Sequence, residues 1–155
     1  MNALDMEDFD SFYVDDLVSV QCDRIDRTHR KLLTGFAECS RILGAGSEAE
    51  LAAAGRRLMT LLDDLERHCA REERLLRAAG YAQVEQHRDA HEALCTYLRE
   101  AAIRLERDGT PVEAEIILEQ GFARLLTHFN TTDVLYKGCI SDERVPSDPP
   151  EVGGS

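Results

Sequence analysis

The chain contains no tryptophan, and all aromatic residues together make up 6% of its 155 positions. Any core it builds is therefore mainly aliphatic. It holds four prolines, three of which (Pro146, Pro149 and Pro150) crowd into the last ten residues. The body of the chain is thus nearly free of the residue that breaks long helices. Five cysteines are present (Cys22, Cys39, Cys69, Cys95 and Cys139), but no Cys-x-x-Cys pair occurs. That excludes a zinc ribbon and a thioredoxin-like motif. No apolar run approaches the roughly 20 residues of a membrane span. Basic residues are scarce beside acidic ones: 18 Lys and Arg against 30 Asp and Glu, a net charge of -12. Such a surface repels phosphate backbones and anionic head groups, so neither nucleic acid nor membrane is expected as a partner. The first residues lack the basic and apolar regions of a secretory signal, so a reducing, cytoplasmic setting and free thiols are expected.

What is present points to one globular domain. Hydrophobic residues make up 43% and charged residues 31%, the composition of a packed and not a disordered chain. A domain of this length buries roughly 68–70% of its unfolded surface and needs no disulfide staple. Residues 1–19 read as an acidic N-terminal arm carrying Asp5, Glu7, Asp8, Asp10, Asp15 and Asp16, with Leu4, Phe9, Phe12 and Tyr13 able to pin it to the body. Residues 141–155 read as a flexible tail. The domain proper is expected over residues 20–140.

Within those bounds the apolar period is helical. Leu32, Leu33, Phe36 and Leu43 follow three- and four-residue spacing before Gly44 and Gly46 end the run. Ser47-Glu48-Ala49-Glu50 is a capping box that opens a second run through Leu58, Leu61, Leu62, Leu65 and Leu76, which Gly80 stops. A third run carries Val84, Leu94, Leu98 and Leu105 and ends at Gly109. Thr110-Pro111-Val112-Glu113 restarts the last, with Ile117, Leu118, Phe122, Leu125 and Phe129, fading near Gly138. No strand pattern competes and no internal repeat is visible. Four long helices joined by short turns read as an all-α, antiparallel up-down-up-down four-helix bundle.

The histidines then fall into place. His87 and His91 are four apart and share one helix face, as do His68 and Glu72. His128 and Asp133 are five apart, too far round a continuous helix to stack, and are expected to flank a site between them. In an up-down bundle, His29 near the start of the first helix and His68 and Glu72 late in the second share one end. His87 and His91, early in the third, and His128 and Asp133, late in the fourth, lie at that same end. All seven fall in one band, roughly 5–16 Å from that end at 1.5 Å per residue. Five imidazoles buried at one level would leave ring nitrogens needing partners, so the band reads as a metal site. Two octahedral ions offer twelve positions. Five imidazoles, two bridging carboxylates and one bridging oxygen fill eleven of them, leaving one open. Imidazole with carboxylate suits iron, with manganese or zinc open on ligand type alone. Cys69, one residue after His68, points about 100° away and is not counted as a ligand.

These residues resemble the hemerythrin family, in particular its single-domain bacterial members. The resemblance runs from about Val20 to Tyr136. It rests on Ile25-Asp26-x-x-His29-x-x-Leu32, His68-x-x-x-Glu72-Glu73, Gly80-Tyr81, His87-x-x-x-His91 and His128-x-x-x-x-Asp133-x-x-Tyr136. It implies two non-haem iron ions with a bridging oxo or hydroxo group. His29, His68, His87, His91 and His128 would be terminal ligands and Glu72 and Asp133 bridges. The family's chemistry implies reversible O2 binding for storage, delivery or scavenging, in a monomer that is not an enzyme. Leu32, Leu33, Leu94, Leu125 and Phe129 would keep the pocket dry. The alternatives are an O2 or redox sensor acting on a protein partner through the acidic arm or tail, or a di-iron enzyme reducing nitric oxide or peroxide. The chain departs from the family where tryptophans are common, with Phe12 or Tyr13 and Leu125 standing in those regions, and where Met is common, with Leu75 and Leu76. Cys22 and Cys139 bracket the metal-bearing end and are the candidate redox pair.

Overall fold

A computed structural model of the chain describes residues 14–146. Four α-helices dominate: α1 (Asp23–Leu43), α2 (Glu48–Ala78), α3 (Val84–Asp108) and α4 (Pro111–Thr131). Each packs on its neighbours in the chain, and α4 closes the ring against α1. This is the all-α, up-down-up-down bundle expected from the helical periods. Among the described residues no strand forms, and no helix is long and apolar enough to cross a membrane. Phe12, Tyr13 and the acidic residues Asp5, Glu7, Asp8 and Asp10 lie outside the described residues, as do Pro149 and Pro150.

The turn chemistry explains the helix ends. The Ser47 side chain accepts from the Glu50 amide while the Glu50 carboxylate accepts from the Ser47 amide, completing the capping box of α2. Beyond α2, Gly80 takes a φ of 74°, open to glycine at little cost, and the Tyr81 amide bonds back to the Leu76 carbonyl. Thr110 caps α4 through the Glu113 amide, with Pro111 at the first turn.

The N-terminus of α1 is different. Its cap position is Cys22, whose side chain makes no capping bond. Asp142, far along the chain, does that work: its Oδ1 accepts from the Arg24 amide at 2.9 Å and from the Cys22 thiol at 3.3 Å. A carboxylate at a helix N-terminus also meets the positive end of the helix dipole. The Arg24 amide and the Cys22 thiol hold the Asp142 carboxyl below its ordinary range. The packed body therefore runs past residue 140, where the sequence placed the start of a flexible tail. Residues Asp142–Arg144 form a short 3-10 turn, Val145 is buried, and Arg24 donates to the Val145 carbonyl. The other end of the body is similar. Val14–Asp16 forms a 3-10 turn, Leu17 packs on the core, and Asn130 ties Asp16 and Val18 to α4.

The interior is layered. A large aliphatic cluster fills most of the bundle, including Leu33, Phe36, Leu58, Leu62, Leu98, Leu118, Phe122 and Leu125. A second, smaller cluster of Val20, Ile25, Leu76, Tyr136, Ile140 and Val145 closes one end. Between them lie the buried charged and imidazole side chains of the described residues: His29, His68, Glu72, His87, His91, His128 and Asp133.

α1 and α4 approach closely at Gly121. A Cβ built there meets Phe36 Cε1 at 2.5 Å and Leu98 Cδ2 at 3.2 Å. Phe36 is fully buried and has nowhere to move. Replacing Gly121 with Ala is expected to destabilise the fold by about 1–3 kcal/mol through overpacking. Gly55 on α2 has open space around its Cβ position, so Gly55→Ala should stabilise by about 0.4–1 kcal/mol. Denaturant unfolding of the two variants beside the parent checks both signs.

Candidate metal centre

Four helices deliver the seven polar side chains. His29 comes from the second turn of α1, His68 and Glu72 from one face of α2, and His87 and His91 from one face of α3. His128 lies in the last turn of α4. Asp133 does not belong to that helix. α4 ends at Thr131, and Asp133 opens a 3-10 segment, Asp133–Tyr136. The spacing of a continuous helix therefore does not govern the pair, and Asp133 Oδ1 comes within 3.0 Å of His128 Nε2. No glycine or proline marks this change of helix type, so the sequence alone predicts a helix that continues through it.

The two carboxylates divide the histidines into two sets. Glu72 Oε2 lies 3.3 Å from His29 Nε2 and 3.0 Å from His68 Nε2. Its other oxygen, Oε1, lies 2.7 Å from His87 Nε2 and 3.2 Å from His91 Nε2. Asp133 repeats the division: Oδ2 faces His29 at 3.1 Å, while Oδ1 faces His87 at 2.9 Å and His128 at 3.0 Å. One set is thus His29 and His68, the other His87, His91 and His128, and each carboxylate gives one oxygen to each set. Within each set the donor atoms all lie within 4.8 Å of one another.

Of these short contacts, only those from Glu72 to His29 and to His87 have hydrogen-bond geometry. His68 Nε2, His91 Nε2, His128 Nε2 and both oxygens of Asp133 are buried without a hydrogen-bond partner. Buried polar atoms are almost always satisfied. Here they crowd in two groups within 4.8 Å of one another, the arrangement expected of donors awaiting a cation. The residues present fit a pair of metal ions.

Around the donors stand residues that hold them. Tyr136, fully buried, donates its hydroxyl to Glu72 Oε2 at 2.9 Å. Glu73 Oε2 lies 3.0 Å from His91 Nδ1, on the far side of that ring from the centre. A carboxylate there fixes the tautomer that leaves Nε2 free to bind. Phe129 stacks on His29 at 3.8 Å between ring centroids. Leu32, Leu33, Leu94 and Leu125 are buried in the adjoining cluster. Tyr136 and Glu73 stand in the sequence pattern, but their roles follow from contacts that spacing does not reveal.

The model of the family described as "Hemerythrin HHE cation binding domain" matches residues 22–138. The chain belongs to the hemerythrin family. The matched region takes in all four helices and every one of the seven residues above. No curated protein and no solved structure matches the chain. In this hemerythrin domain Cys22 and Cys139 are free thiols, the first buried and bonded to Asp142, the second exposed. Their segments do meet, through the Gly138 amide and the Val20 carbonyl.

The electrostatics of the metal-free hemerythrin domain set its response to pH. Burial works against the charged form of every group here. For His29 and His87 the neighbouring Asp133 and Glu72 outweigh burial and lift both imidazoles to about 9. Burial and Glu72 push Asp133 up, but His128, His29 and His87 outweigh them and hold it below the usual carboxylate range. Two imidazoles therefore carry protons near neutral pH in the metal-free chain, and a metal must displace them. Raised imidazoles stabilise the metal-free fold fully below their ordinary 6.5, and that contribution is lost as pH rises through about 9. Metal binding has the opposite slope, strengthening over the same interval. Anaerobic Fe(II) titration in weak buffer with a pH indicator should show proton release near neutral pH, shrinking toward pH 9. Release that does not change with pH would contradict this assignment. Tyr136→Phe should weaken metal retention by about 10–100-fold against a chelator, the range for loss of an outer partner.

Proposed function

We propose that this hemerythrin domain binds two iron ions and, through them, O2 reversibly. The observation that carries this reading is the division of the Glu72 and Asp133 oxygens between two histidine sets. One set offers three imidazoles and two carboxylate oxygens, the other two imidazoles and two carboxylate oxygens. With one shared oxo or hydroxo bridge, the first set completes six donors and the second reaches five. The open position then lies on the His29 and His68 side. A pair of ferrous ions held there would supply the electrons that retain O2.

The protein's own residues set the conditions for binding without turnover. Five imidazoles and only two carboxylates give a donor set of low negative charge, which favours the reduced metal over higher oxidation states. Phe129 stacks on His29, and Leu32, Leu33 and Leu125 pack in the adjoining cluster, so the wall on the core side of the centre is apolar. An apolar wall slows the delivery of the protons that drive oxidation. The further carboxylate, Glu73, is held at His91 Nδ1 and so positions a ring instead of delivering a proton to the open side. His68 borders a groove of about 940 Å³ between α1 and α2, whose rim carries Arg27, Arg30, Arg67 and Arg74. His128 borders a smaller one of about 490 Å³ along α4. Both sets thus lie near the surface, and the donor count, not access, assigns the open side.

The test is an anaerobic Fe(II) load followed by O2 and then by purging, read in the visible spectrum. A coloured adduct that appears with O2 and fades on purging is expected. Immediate, irreversible oxidation would overturn reversible binding and favour redox sensing. Phe129→Ala opens the wall beside His29 and should speed oxidation while the iron content stays at two per chain. An unchanged oxidation rate would remove Phe129 from this role.

A further inference from the structure

Two thiols that the metal centre does not use face each other across the α2–α3 seam. The register of that antiparallel pair is set by contacts along it. Arg77 meets Glu85 at 2.9 Å, Glu73 meets His91 at 3.0 Å, and Arg99 meets Asp63 at 3.1 Å and Glu66 at 2.8 Å. Moving down α2 from Glu73 by four residues reaches Cys69, and moving up α3 from His91 by four reaches Cys95. Another three residues on α2 and four on α3 reach Glu66 and Arg99. The two cysteines therefore occupy one rung, between two rungs that are in contact on either side. Steps of three and four keep each series on a single helix face.

Packed helices lie about 8–10 Å apart with Cα atoms about 2.3 Å from each axis. Residues facing each other on one rung can thus bring their Cα atoms to about 3.4–5.4 Å, which overlaps the window of about 4.4–6.8 Å for a disulfide. Both thiols are free, and each shifts the other's ionisation, raising Cys69 and lowering Cys95. Cys69 is buried in the main cluster, while Cys95 is half-buried at its edge and reachable from solvent. One thiol is accessible and its neighbour is sheltered, the usual layout of an attacking and a resolving cysteine.

We propose that Cys69 and Cys95 form a peroxide-oxidisable dithiol that closes to a disulfide between α2 and α3. The Cys95 sulfur attacks hydrogen peroxide, breaking the O–O bond, forming a sulfenic acid and releasing one water once the departing hydroxide takes up the thiol proton. The Cys69 sulfur then attacks the sulfenic sulfur, forming the S–S bond and releasing a second water. Two thiols lose two electrons and two protons, and peroxide accepts both. The bond joins α2 next to His68 and α3 one turn beyond His91, so it ties together helices that serve different histidine sets. The inference stands on the helix register and is independent of what the centre binds.

The experiment treats the iron-loaded protein and the metal-free chain in parallel with hydrogen peroxide, in a Cys139→Ser background so that the exposed thiol forms no link between molecules. Alkylation and peptide mass mapping then read each thiol. The expected result in both forms is one linked peptide joining Cys69 to Cys95, with the four remaining thiols falling to two. Adding Cys69→Ser should leave Cys95 as a sulfenic acid trapped by dimedone, and adding Cys95→Ser should leave Cys69 reduced. Four alkylatable thiols after treatment would overturn the proposal. So would a link between other cysteines, or a Cys69–Cys95 link that forms only with iron present.

Discussion

The structure turns on seven ionisable side chains buried at one level of a small bundle. A carboxylate or an imidazolium taken out of water costs several kcal/mol unless something compensates it. Here two carboxylates and five imidazoles are almost wholly excluded from solvent, and several of their polar atoms have no hydrogen-bond partner. Protons on His29 and His87 provide partial compensation in the metal-free chain. A pair of cations would compensate more completely, because each reaches donors from different helices at once. The two apolar clusters above and below confine this polar layer.

Much of the remaining structure serves to hold that layer level. The four helices enter it from alternating directions, so α1 and α3 contribute from their first turns and α2 and α4 from their last. Where the chain has no local means of fixing a helix end at the layer, distant segments supply one. Asp142 caps α1, and Asp26 accepts from the Ser19 hydroxyl and the Val20 amide, bracing the turn that leads into α1. Asp26 lies three residues before His29, and the Arg24 amide that Asp142 caps lies five before it. Tyr136 closes the end from the other side, reaching Glu72 from the 3-10 segment that also carries Asp133.

The bundle and the band of donors were legible in the sequence because both are periodic. Apolar spacing marks the helices, and Ser47, Gly80, Thr110 and Pro111 mark their ends by local chemistry. The histidines converge once the helices alternate in direction, with no knowledge of contacts needed. What escaped the reading depends on non-local packing. The end of α4 at Thr131 has no sequence marker. Residues 141–145 look like a tail by composition, yet Asp142 is held by an uncapped helix more than a hundred positions away. Cys22 and Cys139 drew attention by lying at the same end, whereas the rung shared by Cys69 and Cys95 emerges from the α2–α3 register, which only side-chain contacts define.

The proposed function requires one layer of the bundle to hold two metal ions, shared by Glu72 and Asp133. Anomalous diffraction at the iron edge from crystals of the loaded protein tests it most directly. The account predicts two peaks in each molecule, one among His87, His91 and His128 and one beside His29 and His68, with both carboxylates between them. A single peak, or iron bound away from this layer, would contradict it.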